Sequence, residues 1–424
     1  MKLLFLSQWY PPEPLTQKHE MAGDLVKRGH SVVSITGFPN YPSGKIYPGY
    51  RQRLWMWEEI DGARVLRLPL YPYHGRSGVR RALNFLSFAA SASLLGPILS
   101  GSADVMWVYH PPLTIGIPAW WIGLLRRVPF VYDINDMWPE TLVATGMLRS
   151  RIALATLNHL ARFIYARSAA ITVVSPGFKR NLIAKGVPAD KIHVIPNWAN
   201  EDIYRPVPPD QALAGKYGFT GRFNVVFAGN MGLAQGLDTV IEAAQQLSDL
   251  PEVQFIFIGD GVDENRLQQM AIGQQIDNVR FLGRHPAEQM PRFFAMADLL
   301  LVHLKRDPLF EITIPSKTFA YMACGRPILM AVAGDAADVV RDAGAGLTCA
   351  SQDSNALADA VRTLYAMPVA EREQMGQAGR KAFLKLYTRR VLVDQYEVLF
   401  DDIVRARRSR HTDGTNSKRS QSSL

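Results

Sequence analysis

The chain has 424 residues, 48% of them hydrophobic, and contains two cysteines. Because a single core usually stops growing at about 250 to 300 residues, two globular domains are expected. Two cysteines exclude a disulfide framework. The first residues show no cleavable leader pattern, so the sequence predicts a cytoplasmic protein.

The net charge of +9 is concentrated in the first half of the chain. Residues 1–200 carry 22 lysines and arginines against 11 acidic residues, whereas residues 201–404 carry 19 against 26. A basic half suits a phosphorylated substrate, an anionic membrane surface or a nucleic acid. Without an aromatic-rich RNA motif, zinc-finger spacing or a basic heptad array, nucleic acid is not expected as a partner.

The first half alternates between strand and helix patterns. KLLFLS is a buried-strand pattern, helical spacing follows over residues 21–26, and HSVVSITG is a second strand, which together predict a βαβ opening. Proline, asparagine and acidic residues replace the apolar periodicity in KIHVIPNWANEDIYRPVPPD. This change predicts a domain boundary, with a first domain over residues 1–197.

Two long apolar runs, residues 83–100 and 113–125, lie within the first half. They are typical of helices packed on a parallel sheet, but a monotopic membrane contact is the alternative. Arginines that could meet anionic lipid flank both runs: Arg76, Arg80 and Arg81 before the first, Arg126 and Arg127 after the second.

The second half repeats the alternation and predicts a second doubly wound parallel sheet over residues 198–385. A last helix is expected over 386–404, in a position to pack back on the first domain, followed by a disordered basic tail over 405–424. The fold class predicted is α/β with two Rossmann-like domains facing each other across a cleft. Ligands of such sheets bind at the carboxyl ends of the strands.

Two glycine-rich turns follow strands of the second half. VVFAGNMGLAQGL contains Gly229, Gly232 and Gly236 between a strand and a helix, where backbone amides can approach a phosphate. IFIGDGVDENRL repeats the arrangement with Gly259, Asp260 and Gly261. Neither turn matches a dinucleotide or P-loop motif, and a tight turn without a ligand is the alternative for both.

The stretch FEITIPSKTFAYMACGRPIL places Lys317 at the start of a predicted helix. A helix N-terminus favours negative charge, so a lysine there suggests that a bound phosphate supplies it. An ordinary helix start capped by Ser316 is the alternative.

In the first half, VYDINDMWPE places Asp136 just after a strand, where a carboxylate could orient or deprotonate a hydroxyl group. The alternative is that Asp136 caps the next helix. VYHPPLT places His110 at another strand end, and a structural histidine is the alternative there. The histidines show no zinc-type spacing, so no metal cofactor is expected.

Taken together, several motifs resemble those of retaining glycosyltransferases of family 4, which have the GT-B fold. The resemblance extends to about residue 400 and is strongest to the bacterial enzymes of O-antigen, capsule and colanic-acid-type polysaccharide synthesis, some described as N-acetylfucosamine transferases. The motifs are FLSQWYPPEP, ITGFPNYPSGKIYPGY, VYHPPLT, VYDINDMWPE, VIPNWAN, FAGNMGLAQGLDTVIEAA and IPSKTFAYMACGRPIL.

The resemblance implies a UDP-sugar donor on the second domain and an undecaprenyl-pyrophosphate-linked glycan acceptor on the first, at the inner face of the plasma membrane. It implies no metal or other cofactor. Asp136, His110 and Glu311 are the implied catalytic residues. The implied donor-binding residues are Gly229, Asn230, Gly232, Gln235, Gly259, Asp260, Gly261, Arg284, Ser316 and Lys317.

This chain departs from the family pattern at five positions. Asn230 and Gln235 stand where the family carries an arginine and a lysine that bind the diphosphate. Ile312 and Ala320 stand where it carries paired glutamates, with Glu311 one position away. Lys317 is therefore expected to be the principal cation for the diphosphate, assisted by Arg284 or Lys305. Asp136 is expected to face the acceptor, since Asn135 replaces the histidine that commonly precedes it.

Two other functions remain open from the sequence. A sugar-nucleotide epimerase of the same fold would bind the same donor without an acceptor. A non-catalytic, membrane-bound partner in a polysaccharide assembly complex would retain the fold without the reaction.

Overall fold

The computed structural model describes residues 1–14, 19–75, 77–148 and 150–421, with side chains described up to residue 409. The chain divides into two compact units. The first unit comprises Met1–Val174, Lys179–Ile195 and Leu392–Leu424, and the second comprises Ser175–Phe178 and Pro196–Val391. The main change of unit, after Ile195, lies close to the predicted boundary at residue 197.

The first unit is built on an eight-stranded sheet with the order β3-β4-β2-β1-β5-β6-β7-β8. Only β3 is antiparallel to its neighbour, and the other strands pair in parallel. The strands are β1 (Lys2–Leu6), β2 (Ser31–Gly37), β3 (Met56–Ile60), β4 (Ala63–Leu68), β5 (Val105–His110), β6 (Phe130–Ile134), β7 (Ala170–Val173) and β8 (Ile192–Val194).

Helices connect these strands, and serine side chains cap two of them. Ser77 accepts a hydrogen bond from the Arg80 amide, and Ser150 accepts one from the Ala153 amide, at the starts of the two longest crossover helices of the unit. The helices are α1 (Glu20–Lys27), α2 (Gly78–Leu99), α3 (Gly116–Arg126), α4 (Glu140–Ala144), α5 (Arg151–Arg167) and α6 (Pro176–Ala184).

The second unit contains a six-stranded, fully parallel sheet with the order β11-β10-β9-β12-β13-β14. Its strands are β9 (Phe223–Ala228), β10 (Val253–Ile258), β11 (Val279–Phe281), β12 (Leu299–His303), β13 (Ile328–Ala331) and β14 (Gly346–Thr348). Its helices are α7 (Gln211–Tyr217), α8 (Asp238–Gln246), α9 (Glu264–Gly273), α10 (Met290–Phe294), α11 (Pro308–Glu311), α12 (Lys317–Cys324), α13 (Asp335–Asp342), α14 (Ser354–Ala366) and α15 (Val369–Leu386).

Both faces of the second sheet are covered, which explains why its strands are continuous apolar runs. In β9, Val226 and Ala228 point into one hydrophobic core, and Val225 and Phe227 point into the other. This two-sided burial is typical of doubly wound parallel sheets.

The last helix, α16 (Arg389–Gln421), belongs to the first unit from Leu392 onward. It is longer than the predicted helix over 386–404, so the tail predicted as disordered from residue 405 begins inside a helix. Arg407 donates a hydrogen bond to the carbonyl oxygen of Asp104 at 3.2 Å, which ties this part of α16 to the unit. Residues 422–424 lie outside the described residues.

Candidate functional site

The first glycine-rich turn of the second unit begins where β9 ends. Gly229 has a φ of +137° and Gly236 a φ of +60°, conformations that favour glycine. The Tyr321 hydroxyl of α12 accepts a hydrogen bond from the Ala228 amide at 2.9 Å and donates one to the Ala228 carbonyl oxygen at 3.2 Å. α12 therefore holds the end of β9 directly.

The second turn, after β10, packs against the first through the backbone. The Met231 amide donates to the Asp260 carbonyl oxygen at 2.7 Å. A Cβ at Gly259 would lie 2.0 Å from the Gly229 carbonyl oxygen, and one at Gly261 would lie 2.4 Å from that of Met231. Glycines 259 and 261 are thus needed for contact between the two turns, whatever ligand they meet.

Lys317 is the first residue of α12, and its side chain reaches the first glycine turn. Its Nζ donates to Oε1 of Gln235 at 3.2 Å and lies 3.6 Å from the centre of the Phe227 ring. A Cβ added at Gly229 would lie 3.0 Å from the same nitrogen. Burial lowers the pKa of this ammonium group to about 7. Lys317 is in none of the ion pairs found among the described residues.

Ser316 does not act as the cap that the alternative interpretation required. Its backbone is already helical, with φ −58° and ψ −28°, and its hydroxyl makes no capping hydrogen bond. A capping residue needs extended backbone angles to turn its oxygen back onto the helix amides. The Ser316 side chain is exposed at the start of α12.

His303, at the end of β12, is a site residue that the sequence analysis missed. The side chain is buried, and its Nδ1 lies 2.6 Å from the Gln235 carbonyl oxygen. Its Nε2 accepts a hydrogen bond from the Gln352 amide at 3.4 Å. These two partners assign the proton to Nδ1 of a neutral ring, and burial lowers the pKa of His303. His303 thereby holds the backbone of the first turn at Gln235. Its position at a strand end next to β9 was the available signal.

The other predicted donor residues lie in the two glycine turns or in contact with them. Asn230 and Gly232 lie in the first turn, where a Cβ at Gly232 would meet the Asn230 amide nitrogen at 2.7 Å. Arg284 forms an exposed ion pair with Asp260, with the nitrogen and oxygen 3.7 Å apart. Lys305 lies along Gly236, and its amide donates to the Ala234 carbonyl oxygen at 3.0 Å.

The two positions near the family's paired glutamates differ in their exposure to solvent. Glu311 is exposed at the end of α11, whereas Ala320 is buried within α12. The Glu311 carbonyl oxygen would lie 2.0 Å from a Cβ at Gly334, whose φ is +77°. The exposed Glu311 carboxylate has no hydrogen bond or ion pair among the described residues, whereas Ala320 offers no polar atom.

In the first unit, β5 and β6 are paired neighbours, so His110 and the residues after Ile134 lie at the same sheet edge. Asp136 is not the cap of a following helix, because α4 begins at Glu140 and Pro139 precedes it. Solvent reaches the Asp136 side chain, yet the surrounding protein removes enough hydration to raise its pKa to about 6.

Asp133, in the same motif, has a structural role. Its carboxylate accepts hydrogen bonds from the Thr172 hydroxyl at 2.6 Å, the Tyr396 hydroxyl at 2.7 Å and the Asn135 side-chain amide at 2.8 Å. These contacts connect β6, β7 and α16. Asp136, in contrast, is exposed, and Glu140 of the same motif is ion-paired with Lys185.

His110 is completely buried against the rings of Tyr132 and Trp138, with ring centroids 5.5 and 5.9 Å away. Neither of its nitrogens has a hydrogen-bond partner among the described residues. Burial lowers the pKa of His110 to about 3, so the ring is neutral at physiological pH.

Glu13 is a second residue that the sequence analysis missed. It is buried, and its carboxylate accepts hydrogen bonds from the amides of Tyr10, Asn40 and Tyr41 at 3.0, 2.8 and 2.7 Å. Burial raises its pKa, although these hydrogen bonds oppose the change. Glu13 orders the loops after β1 and β2 at the strand ends of this unit. An acidic residue between prolines, in PPEP, was the signal in the sequence.

Among the described residues, no group of three or more His, Cys, Asp or Glu side chains is arranged to hold a metal ion. Lys317 and the glycine turn beside it form a cationic place in the second unit that suits an anion.

Two family models match successive parts of the chain. One, described as a glycosyl transferase 4-like domain, matches residues 16–198, and the other, described as glycosyl transferases group 1, matches residues 211–382. Their limits correspond closely to the two units.

Curated relatives and a solved structure support the same assignment. The chain is 27% identical to WbjE of Pseudomonas aeruginosa, named as a glycosyltransferase, over 63% of this chain and 66% of that protein. It is 28% identical to WcaI of Escherichia coli strain K12, named as a colanic acid biosynthesis glycosyl transferase, over 77% and 82%. HepE of Anabaena, solved with UDP and glucose, has a TM-score of 0.71 at 18% identity and covers 95% of this chain and 99% of its own. The chain therefore belongs to the group 1 glycosyltransferases and has the GT-B fold.

Proposed function

We propose that this glycosyltransferase moves a hexose-type sugar from a UDP-sugar to a lipid-linked glycan during synthesis of a bacterial surface polysaccharide, with retention of configuration. The observation that carries the donor assignment is the Lys317 ammonium group without an ion pair among the described residues, held beside the glycine turn after β9. A diphosphate placed there would meet a cation and backbone amides together. The UDP complex of HepE and the name of WcaI support the donor and the pathway class.

In this reaction the bond between the sugar C1 and the diphosphate oxygen breaks, and its electron pair leaves with UDP. A bond forms between C1 and an acceptor oxygen, whose proton passes to the departing phosphate. Lys317 would stabilise the charge that develops on the diphosphate, as positioned cations do in phosphate-leaving reactions. Glu311 is proposed to contact the donor sugar. His110 is completely buried at the end of β5, so it is proposed to position this sheet edge near Asp136 rather than to touch a substrate.

The direct test is to incubate the purified protein with a panel of UDP-sugars, including UDP-N-acetyl-L-fucosamine, and an undecaprenyl-pyrophosphate-linked glycan. We expect UDP release and a lipid product heavier by one sugar, with the anomeric configuration of the donor by NMR. A converted sugar nucleotide without acceptor would instead indicate an epimerase. No UDP release with any donor and acceptor would indicate a non-catalytic partner.

Asp136 is proposed to face the acceptor hydroxyl. Asp136→Asn should lower kcat by about 10- to 100-fold, because it removes the hydrogen bond by which a carboxylate would orient the acceptor hydroxyl, worth about 1.5 to 3 kcal/mol, and it should leave UDP affinity unchanged. Because its pKa is about 6, the wild-type rate should fall as pH decreases below 6, where the carboxylate becomes protonated. A variant with wild-type kcat and the same acidic limb would contradict this role.

A further inference from the structure

The solvent-facing side of α2 is apolar along its length. Residues 82–103 contain no charged side chain. Leu86, Ala90, Leu94 and Ile98 follow one another at intervals of four residues, and Leu94 and Ile98 are 71% and 74% exposed. A helix on the surface of a soluble domain ordinarily presents polar residues to solvent. The outward side of α2 therefore has the composition of a surface that is buried against another molecule.

The opposite side of α2 is anchored in the first unit. Phe85, Phe88 and Ala92 are buried, and a Cβ at Gly96 would lie 2.8 Å from the Ile122 side chain of α3. By length and composition α2 could cross a membrane, but 44% of its most apolar window is buried. Crossing would expose this part of the core, so the geometry favours α2 lying on a surface rather than spanning a bilayer.

α3 extends the apolar surface. Trp121, Leu124 and Leu125 are 37%, 56% and 52% exposed, and Arg126 donates to the Gly101 carbonyl oxygen at 2.6 Å, which joins the end of α3 to the end of α2. We call the following residues the apolar strip: Leu83, Leu86, Ala90, Leu94 and Ile98 of α2, and Trp121, Leu124 and Leu125 of α3.

Basic residues flank the apolar strip. Residues 76–127, which include both helices, contain five arginines and one acidic residue, Asp104. Arg80 and Arg81 lie at the start of α2, and Arg126 and Arg127 lie at the end of α3. Arg76 lies outside the described residues. Arginines at the edges of an apolar surface match the phosphates of anionic lipids around a hydrocarbon interior.

We propose that the apolar strip and these arginines bind the surface of an anionic lipid bilayer, with α2 lying flat at the interface. The leucines, isoleucine and tryptophan enter the headgroup and acyl boundary, and the guanidinium groups remain at the level of the phosphates. The first unit would thereby be held at the surface in which a lipid-linked acceptor resides, although the binding itself does not depend on the proposed function.

The test is co-sedimentation of the full chain with phosphatidylglycerol-rich vesicles and with phosphatidylcholine vesicles, in the absence of nucleotide. We expect binding to the anionic vesicles that weakens, without vanishing, as salt is raised. Leu94→Glu with Ile98→Glu should reduce binding at least tenfold. Ile272→Glu, at a 69% exposed position in α9 of the second unit, is the matched control and should bind as the wild type does.

A second variant separates the charge from the apolar contact. Arg126→Gln with Arg127→Asn, where asparagine suits the φ of 54° at position 127, should weaken binding about fivefold for each charge removed. It should also reduce the dependence on salt. Circular dichroism melting confirms that each variant is folded.

Unchanged vesicle binding by Leu94→Glu with Ile98→Glu would overturn the proposal. A second outcome would also overturn it: sedimentation velocity shows a wild-type dimer, the variant is a monomer, and the variant still binds vesicles. A second copy of the chain would then be what covers the strip. Since the assay contains no nucleotide or acceptor, its failure would leave the proposed transfer reaction untouched.

Discussion

At the scale of single residues, Lys317 combines a charge with an environment that solvates it poorly. The Phe227 ring face, 3.6 Å away, and the Gln235 oxygen stabilise the ammonium form, but burial outweighs them and lowers its pKa to about 7. An anion arriving at the turn would supply the missing counter-charge. Binding of a diphosphate should therefore raise this pKa and take up a proton.

UDP should bind more weakly as the pH rises above 7. Above pH 7 the free lysine is mostly neutral, so UDP affinity should fall by up to tenfold per pH unit. Isothermal titration in buffers of different ionisation enthalpy should show proton uptake above pH 7. Lys317→Met should lose about 1.5 to 3 kcal/mol of binding free energy, the value of a hydrogen bond to a charged group, together with the pH dependence.

The same variant provides its own folding control. The folded pKa, about 7, lies below that of a lysine in the unfolded chain, so the unfolded state binds more protons between these two values. Stability therefore rises with pH across this interval. Lys317→Met removes the poorly solvated charge, and its melting temperature at pH 6.5 should equal or exceed that of the wild type. Wild-type UDP affinity in a folded variant would contradict the assignment.

At the scale of elements, the two glycine turns act as one backbone unit. Gly259 has a φ of +136° and a Cβ there would lie 2.0 Å from the Gly229 carbonyl oxygen. Gly259→Ala combines left-handed strain with a clash against backbone and should cost about 3 kcal/mol or more.

Gly273, at the end of α9, is the matched control. A Cβ there would meet nothing within 4 Å, and alanine is the better helix former by roughly 1 kcal/mol. Gly273→Ala should leave the urea midpoint unchanged or raise it, whereas Gly259→Ala should lower it. Equal midpoints for the two variants would show that the turn–turn contact carries no stability.

At the scale of the whole molecule, the first unit is completed by the last part of the chain. The Tyr396 hydroxyl of α16 donates to Asp133 at 2.7 Å, and both side chains are buried. Tyr396→Phe leaves part of a buried carboxylate without its donor and should cost about 1 to 3 kcal/mol.

Val398, on the same helix, is 61% exposed and provides the comparison. Val398→Ser should change stability by no more than about 0.5 kcal/mol, as exposed substitutions usually do. Chemical denaturation of the two variants measures the difference. A midpoint for Tyr396→Phe that matches that of Val398→Ser would mean that the hydrogen bond between Tyr396 and Asp133 adds nothing measurable to stability.

The sequence by itself determined the alternation of elements, the two Rossmann-like units, both glycine turns and the position of Lys317 at a helix start. These features depend on local periodicity and on residue types with local conformational preferences, which a single chain displays directly. It also located Asp136 and His110 at strand ends, because parallel strands end at one edge of a sheet.

Only the tertiary structure decided which polar groups meet. Glu13 binds the amides of Asn40 and Tyr41, and His303 binds the carbonyl oxygen of Gln235. Ser316 is not a cap, and Gly259 meets the backbone of Gly229. Contacts between residues distant in the chain depend on sheet order and on the return of α16. The loss of hydration that shifts the pKa values of Lys317, Asp136 and His110 depends on the whole surrounding fold. Neither leaves a periodic trace in the sequence.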